Sequence, residues 1–558
     1  MPASLAIQNA SSIAILFPDN PVASHKKKPS ELLIPKRVAA ESSVHDKPLH
    51  QRKIEQVNVV QRFFNAIGNG LYTCYRSIQI LGYSINIMVR NGSPKSVQQA
   101  ADGLGGVFLK LLQFICSSEG MAKKFFGGNH EDYTKALRHV SSSNKPMSNR
   151  QLIRCLEAAG IDYEPELLDD RTNLGVGSIG EVNDIYTKSG QTQDPTLAKI
   201  TPKSIVVKLI SPANEAKILS DINLMTLLMK VVNFIAPGKL GSGMKASLTD
   251  FIESFKSELN LAEEAINTQT QARVFSKLPA CEKFEINDQD LEPISRLYDP
   301  PDTELLDNLG VKLKFKVPEI DSRYTTRRSM VMQRVEGVTL TASDKNDQQL
   351  RAILQRVLKI PETVITKERL EVLRNSIKFL AFSQWLYCYS RSGFFNADIH
   401  DGNIMVAEEN GALCVYFIDL GNALQHTKEQ TIASQKIGVA LRELKEPGSL
   451  HESMPPISRQ QALDAVIDSL KKLGKFKAGA VDWQAIKKNI DALVKAGDTE
   501  ASEKRSIEIF DMIYQYGVKT PKDIMALFRA MTLIKGNKPP DMEKMKCIAN
   551  QLRQQMKS

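Results

Sequence analysis

Three oxygen-bearing side chains stand close together in the second half of the chain. In GFFNADIHDGNIMVAEENGALCVYFIDLG (393–421), Asp398 is followed five residues later by Asn403, and Asp419 opens an Asp-Leu-Gly near the end. Phosphoryl transfer needs a carboxylate beside the attacking hydroxyl or water. It also needs two oxygen ligands that hold Mg2+ against nucleotide phosphates. A loop supplying Asp398 and Asn403, and a hairpin returning Asp419, would deliver all three to one point. The hairpin rests on Asn410-Gly411, the residue pair that most readily takes the positive φ angles of a tight type I′ turn. Ile404, Met405 and Val406 before the turn, and Val415, Tyr416, Phe417 and Ile418 after it, fit buried strands.

The elements that would hold a nucleotide over this point come earlier. RTNLGVGSIGEVNDIYT (171–187) carries Gly175, Val176, Gly177, Ser178, Ile179 and Gly180 as a GxGxxG, with Val182 following. In a dinucleotide-binding fold such glycines open a helix. Here Val182, Ile185 and Tyr186 look like a returning strand, which favours a hairpin whose backbone amides cover phosphates. An ordinary glycine turn is the competing reading. Lys208, inside the apolar IVVKLI, needs a partner if its strand is buried, because an unpaired buried ammonium is costly. On an edge strand it would instead snorkel to water. Glu258 and Glu264, in a helix expected over 246–275, are both in reach of that role. Met332, Gln333, Arg334 and Val335 follow strand material and would form the hinge where adenine meets backbone groups.

At 558 residues, 42% of them hydrophobic, the chain exceeds a single core. The seven Cys (74, 116, 155, 281, 388, 414, 547) form no CxxC, which speaks against a disulfide frame or a zinc site, and the eight His are dispersed. Net charge is +10, and residues 51–150 hold 13 Lys and Arg against 5 Asp and Glu. That surplus suits an anionic membrane surface or, more blandly, a solvated helical face. No nucleic-acid partner is expected. No run reaches the ~20 apolar residues of a membrane span, and no secretory signal is evident.

In order, residues 1–50 read as poorly ordered and 51–147 as a helical extension; 148–335 and 336–558 read as the two lobes of an α+β protein. SNRQLIRCLEAAG (148–160) reads as a helix closed by Gly160. KLKFKVPEI and SMVMQRVEGVTL read as strands, 350–359 and 370–391 as helices, and the tail from 427 as helical.

GFFNADIHDGNIMV, FIDLG, VMQRVEG and SELNLAEEAIN together resemble the UbiB/ADCK atypical kinase-like family. FLKLLQ resembles that family's KxGQ motif, and LFRAMTLIKG its C-terminal helix. The resemblance implies a bilobal protein-kinase-like fold with an N-terminal helical extension over the active site, and it implies binding of ATP and Mg2+. It makes Lys208 the phosphate-binding lysine, Glu264 its partner, Asp398 the catalytic-loop Asp, and Asn403 and Asp419 the metal ligands. Lys110 and Gln113 fall on the KxGQ motif, and Glu258 on the ExD motif that engages the KxGQ lysine. The family is associated with ATP hydrolysis supporting ubiquinone biosynthesis, often at a membrane surface.

The departures are specific. KxGQ becomes Lys-Leu-Leu-Gln with Leu112 in place of Gly, and ExD becomes Glu258-Leu259-Asn260. The Ala-rich nucleotide loop becomes GVGSIGEV, and Asn396 stands where a His precedes the catalytic pair, while His400 is kept. No Ala-Pro-Glu follows Asp419, so a peptide-substrate platform is not signalled. The expectation is an atypical kinase or ATPase, cytoplasmic or peripheral to a membrane. The alternatives are a secreted or regulatory kinase outside quinone metabolism, and an ATP-binding scaffold without turnover.

Overall fold

The computed structural model describes most of residues 70–116, 129–138, 146–163, 172–185, 205–235, 251–277, 311–445, 458–496 and 509–535. The segments expected to be poorly ordered (1–50) and to open the helical extension (Ile54 to Ile67) lie outside the described residues. So do Gly177 and Ser178 of the glycine loop and the side chain of Gln113.

Residues 72–83 are helical and lead to α1 (Pro94–Leu104), α2 (Gly106–Cys116) and α3 (His130–Arg138). Arg76 fastens this first helical stretch to the rest of the chain. Its guanidinium holds Asp221 through two hydrogen bonds of 2.9 Å, donates to the Leu104 carbonyl at 2.7 Å, and lies over the Phe108 ring. The fork geometry of Arg suits this bidentate grip, and burial of both partners makes it strong. α4 (Asn149–Ala159) starts where the Ser148 N–H donates to Gln151 Oε1 at 3.1 Å and ends at left-handed Gly160 (φ 69°). Capping at both ends is what its sequence demands.

The upper lobe is a five-stranded antiparallel sheet. β1 (Thr172–Val176) and β2 (Glu181–Ile185) form a hairpin, and β3 (Ile205–Leu209) lies on the other side of β2. α5 (Pro212–Ile235) and α6 (Leu261–Lys277) intervene before the next strands. β4 (Leu313–Lys316) leaves this lobe altogether, whereas β5 (Ile320–Asp321) and β6 (Ser329–Met332) complete the sheet in the order β1-β2-β3-β6-β5. The glycine motif is therefore the turn of a β-hairpin, and the dinucleotide-binding alternative, in which it would open a helix, does not apply.

The helix expected over 246–275 is broken. Residues 251–253 and 255–257 are helical, 258–260 form a turn, and α6 starts at Leu261. Leu259 and Leu261 are both fully buried. Residues two apart on a helix point in nearly opposite directions, and the break lets both side chains enter one core. The break puts Glu258 in the turn and Glu264 on the first turn of α6.

The lower lobe begins at β7 (Gly337–Thr339), α7 (Asp344–Leu358) and α8 (Lys367–Ser392). α8 is capped by the Thr366 side chain and by left-handed Gly393. Then come β8 (Phe394–Asn396), β9 (Ile404–Glu409), β10 (Ala412–Phe417) and β11 (Ala423–Gln425). The β9–β10 turn has Asn410 at φ 53° and Gly411 at φ 75°, as a type I′ turn requires. β10 pairs antiparallel with β9 and parallel with β4, giving the order β4-β10-β9-β7, while β11 pairs with β8. KLKFKVPEI thus supplies one strand to each lobe, although β4 falls within the stretch read as upper lobe. The main core packs α7 and α8 against β9 and β10 (Leu380, Trp385, Phe395, Val406, Val415). α9 (Lys428–Lys445), α10 (Arg459–Leu473), α11 (Trp483–Ala496) and α12 (Lys522–Lys535) pack around a second core. Fold and sequence agree on a bilobal α+β architecture. Among the described residues no helix is long and apolar enough to cross a membrane.

Candidate active site

Lys208 stands on β3 opposite Val182 of β2 and Met330 of β6, and its ammonium crosses from one lobe to the other. It donates to both carboxylate oxygens of Glu264 at 2.8 and 2.9 Å, and to Asp419 Oδ1 at 3.1 Å. Lys208 and Glu264 are largely shielded, with side chains 13% and 6% exposed, whereas Asp419 is 51% exposed at the floor of the cleft. One ammonium thus serves two carboxylates. Burial pushes the Glu264 carboxyl up to about 7, Lys208 pulls against it, and the nearby Asp419 charge adds to the rise. For Lys208 burial favours the neutral amine, but Asp419 and Glu264 together outweigh it and hold the ammonium protonated. Burial also works to raise Asp419. Lys208 outweighs it, with help from Lys110 and His400, and its carboxyl stays below the usual range.

Asp419 takes a left-handed backbone (φ 57°), uncommon for a residue with a Cβ and costing of order 1 kcal/mol or more. Asn396 keeps it there. Its side chain, on β8 and only 2% exposed, donates from Nδ2 to the Asp419 carbonyl at 3.1 Å and accepts the Asp398 N–H at 3.0 Å through Oδ1. The Asn396 carbonyl in turn accepts the Trp385 indole N–H at 3.1 Å. This one amide therefore ties the loop carrying Asp398 to the segment carrying Asp419. In the sequence Asn396 stands out only as a departure from a family motif. Its apolar neighbours Phe394 and Phe395 are the signal that the position is buried and that its amide must find partners.

Asn403 donates from Nδ2 to the Asp398 carbonyl at 2.9 Å, and its own carbonyl accepts the Ile418 N–H at 3.0 Å. With the amide nitrogen committed, Oδ1 is the atom left to meet a cation. The loop is braced from below, where Lys378 of α8 pairs with Asp401 and the Asp401 carbonyl accepts the Leu340 N–H at 3.1 Å. Among the described residues no three His, Cys, Asp or Glu side chains form a metal cluster by themselves. A hard divalent cation here would be held by the Asn403 amide oxygen and the Asp419 carboxylate, with phosphate oxygens and water completing six ligands. That oxygen-only donor set fits Mg2+.

Glycine-loop residues Gly175 and Val176 lie at the end of β1, and Ile179 is buried. Gly180 has no room for a side chain, since a Cβ would stand 2.4 Å from the Leu209 carbonyl oxygen, while nothing lies within 4 Å of one at Gly175. Met332 ends β6, and Gln333, Arg334 and Val335 connect the two sheets. In that connector the Gln333 N–H donates to the Glu319 carbonyl at 2.8 Å, and Arg334 is paired with buried Asp184 and with Glu336. Lys110 of α2 reaches Glu258 at 3.0 Å and lies 5.2 Å from the centre of the Phe255 ring. The other Glu258 oxygen accepts from Asn422 Nδ2 at 3.4 Å, three residues after Asp419. Glu258 and Glu264, six apart in sequence, thus serve different lysines.

Residues 170–288 and 302–445 match the model of the ABC1 atypical kinase-like domain, and every residue of this site except Lys110 falls within them. An aarF domain-containing protein kinase, chloroplastic, of Arabidopsis thaliana is 19% identical over 453 residues, covering 79% of this chain and 70% of that protein. A probable protein kinase UbiB of Cellvibrio japonicus is 20% identical, covering 70% of this chain and 59% of that one. The corresponding protein of Tolumonas auensis is 22% identical, covering 69% and 60%. The chain therefore spans about 60% of the length of these bacterial relatives.

Proposed function

This chain belongs to the UbiB/ADCK family of atypical kinase-like proteins, and on that premise we propose that it is a Mg-ATP-dependent phosphoryl-transfer enzyme. The observation that carries the proposal is the Lys208 ammonium, held on β3 by Glu264 of the upper lobe and Asp419 of the lower. Such a cation is preorganised for polyphosphate at the seam of two lobes, where charge stabilisation is worth most.

In this reading Lys208 turns to the α- and β-phosphates while Glu264 keeps it from swinging away. The backbone amides of the Gly175–Gly180 turn cover the phosphates from above, and the adenine lies against Met332 to Val335. Mg2+, held by Asn403 and Asp419, would supply charge neutralisation for the phosphate oxygens. Asp398 accepts the proton of the attacking hydroxyl or water. Its backbone is fixed on both sides, the N–H by Asn396 and the carbonyl by Asn403, so the base starts from a set position on the loop. Lys110 and Glu258 fasten the helical extension beside the Asp419 segment, a regulatory contact. Gln113 belongs to the same motif.

The acceptor is water or a small molecule rather than a peptide. Only six residues separate Gly421 from α9, and β11, paired with β8, takes up half of them. A protein kinase places its activation segment and substrate platform between these points. By family, the process served is ubiquinone biosynthesis, with the basic 51–150 stretch approaching an anionic membrane surface. The test is a thermal shift on adding Mg-ADP. Wild-type protein should be stabilised and Lys208→Ala should not; an equal shift in both would refute the assignment of Lys208.

A further inference from the structure

The loop between Asp398 and Asn403 holds one more side chain with a fixed orientation, His400, and the proton transfer to Asp398 and the metal binding make no use of it. Its Nδ1 accepts the Gly402 N–H at 3.0 Å, and its carbonyl accepts the Asn403 N–H at 2.8 Å. Gly402 makes room for the ring. A Cβ at that position would stand 2.9 Å from His400 Cε1 and 3.0 Å from Nδ1, closer than side chains pack. A neutral imidazole whose Nδ1 is an acceptor carries its proton on Nε2. The ring therefore presents an N–H on the edge turned away from the loop backbone, and the residue is exposed. The ring also lies near enough to Asp419 that its protonated form would help to hold that carboxyl low. That donor lies on the loop between the residue that takes a proton and the residue that holds the metal, at an exposed rim where it could answer the charge that builds up on a transferred phosphoryl.

We propose that His400, through Nε2–H, donates a hydrogen bond to the terminal phosphoryl group of a bound nucleoside triphosphate. The assignment rests on the phosphoryl-transfer reading of the site and adds a catalytic residue to it. As the nucleophile oxygen bonds to the γ-phosphorus, the bond from that phosphorus to the β–γ bridging oxygen breaks. The electron pair leaves on the diphosphate, and the proton of the nucleophile goes to Asp398. The imidazole keeps its own proton throughout and gives only a hydrogen bond to the phosphoryl oxygens. A diphosphate has no group at this position, so the contact separates triphosphate from diphosphate. Bracing of the loop by Lys378 through Asp401 and by Asn396 through the Asp398 N–H is independent of the His400 ring, so a replacement that keeps an acceptor for the Gly402 N–H leaves the loop its other supports.

The experiment compares binding of Mg-ADP and of a non-hydrolysable Mg-triphosphate analogue by isothermal titration calorimetry. His400→Asn keeps an acceptor near the Nδ1 position and removes the Nε2 donor. Its affinity for Mg-ADP should stay within about twofold of wild type, while that for the triphosphate analogue falls about tenfold, the scale of one charge-assisted hydrogen bond. His400→Gln, whose amide reaches farther, should recover part of that loss. An unchanged triphosphate-to-diphosphate ratio in His400→Asn would overturn the assignment and leave the nucleotide reading standing. Equal weakening of both ligands would make His400 a loop-shaping residue only, and would overturn it as well. Wild-type protein that binds neither nucleotide would defeat the underlying reading and this assignment with it.

Discussion

Replacing Asn396 by Ala should damage the site from a residue that faces neither nucleotide nor solvent. The side chain makes two hydrogen bonds, 3.0 Å from the Asp398 N–H and 3.1 Å to the Asp419 carbonyl, at a position 2% exposed. Removing it leaves two part-buried backbone groups without this partner, each costing at most about 1–3 kcal/mol. Partial relaxation brings the expected loss of stability to about 2–4 kcal/mol. The chemical consequence should be larger than the loss of folded protein explains. Asp419 sits in a left-handed conformation, and without its carbonyl anchor it relaxes toward commoner backbone angles that carry the carboxylate away from Lys208. A bias of about 1–3 kcal/mol of released strain lowers the competent population about fivefold to about 150-fold. Urea denaturation gives the first quantity, and ADP release at saturating Mg-ATP, normalised to folded protein, gives the second. Asn396→Asp is the companion variant, because it keeps an acceptor for the Asp398 N–H and loses the donor to Asp419. The positioning role of Asn396 is refuted if both variants stay within about 0.5 kcal/mol of wild type and release ADP at the wild-type rate.

Three further outcomes rest on the same geometry. Gly180→Ala should destabilise the upper lobe, since its Cβ would meet the Leu209 carbonyl at 2.4 Å, whereas Gly175→Ala, with open space around it, should leave stability unchanged; thermal denaturation of the pair decides this. Glu264, raised to about 7 from an ordinary 4.5, stabilises the fold fully below pH 4.5 and loses that contribution as pH rises through 7. The ion pair with Lys208 strengthens over the same interval, so turnover should climb through pH 7 and the step should vanish in Glu264→Gln. Lys110→Ala should cost stability only about 0–1 kcal/mol, because Lys110 is more than a third exposed, yet it should change ADP release by releasing Glu258 beside Asn422; unchanged release would remove the regulatory role.

Much of this molecule is legible in its residue order, and the rest is hidden for physical reasons. The β9–β10 hairpin is readable because Asn410-Gly411 has few other uses between apolar runs. Helix α4 is readable because its cap residues stand at both ends. Lys208 invites a partner by its apolar flanks, yet residue order alone does not decide which glutamate it takes. That choice depends on the break at 258–260, which lets Leu259 and Leu261 pack into one core. Pairing of β4 with β10 is equally hidden, since nothing in KLKFKVPEI says that its two halves join different sheets. Asn396 shows in sequence only as a missing His. Its two hydrogen bonds need the long-range approach of residues 396 and 419, which the β8–β11 pairing brings about.

The central claim is that Lys208, Asp398, Asn403 and Asp419 form one ATP-consuming site. The most direct measurement is Mg-dependent ADP release by purified wild-type protein beside Asp419→Asn, prepared identically and shown to be folded. Release should require Mg2+ and fall at least about a hundredfold in Asp419→Asn. Equal release by the two proteins would contradict the claim.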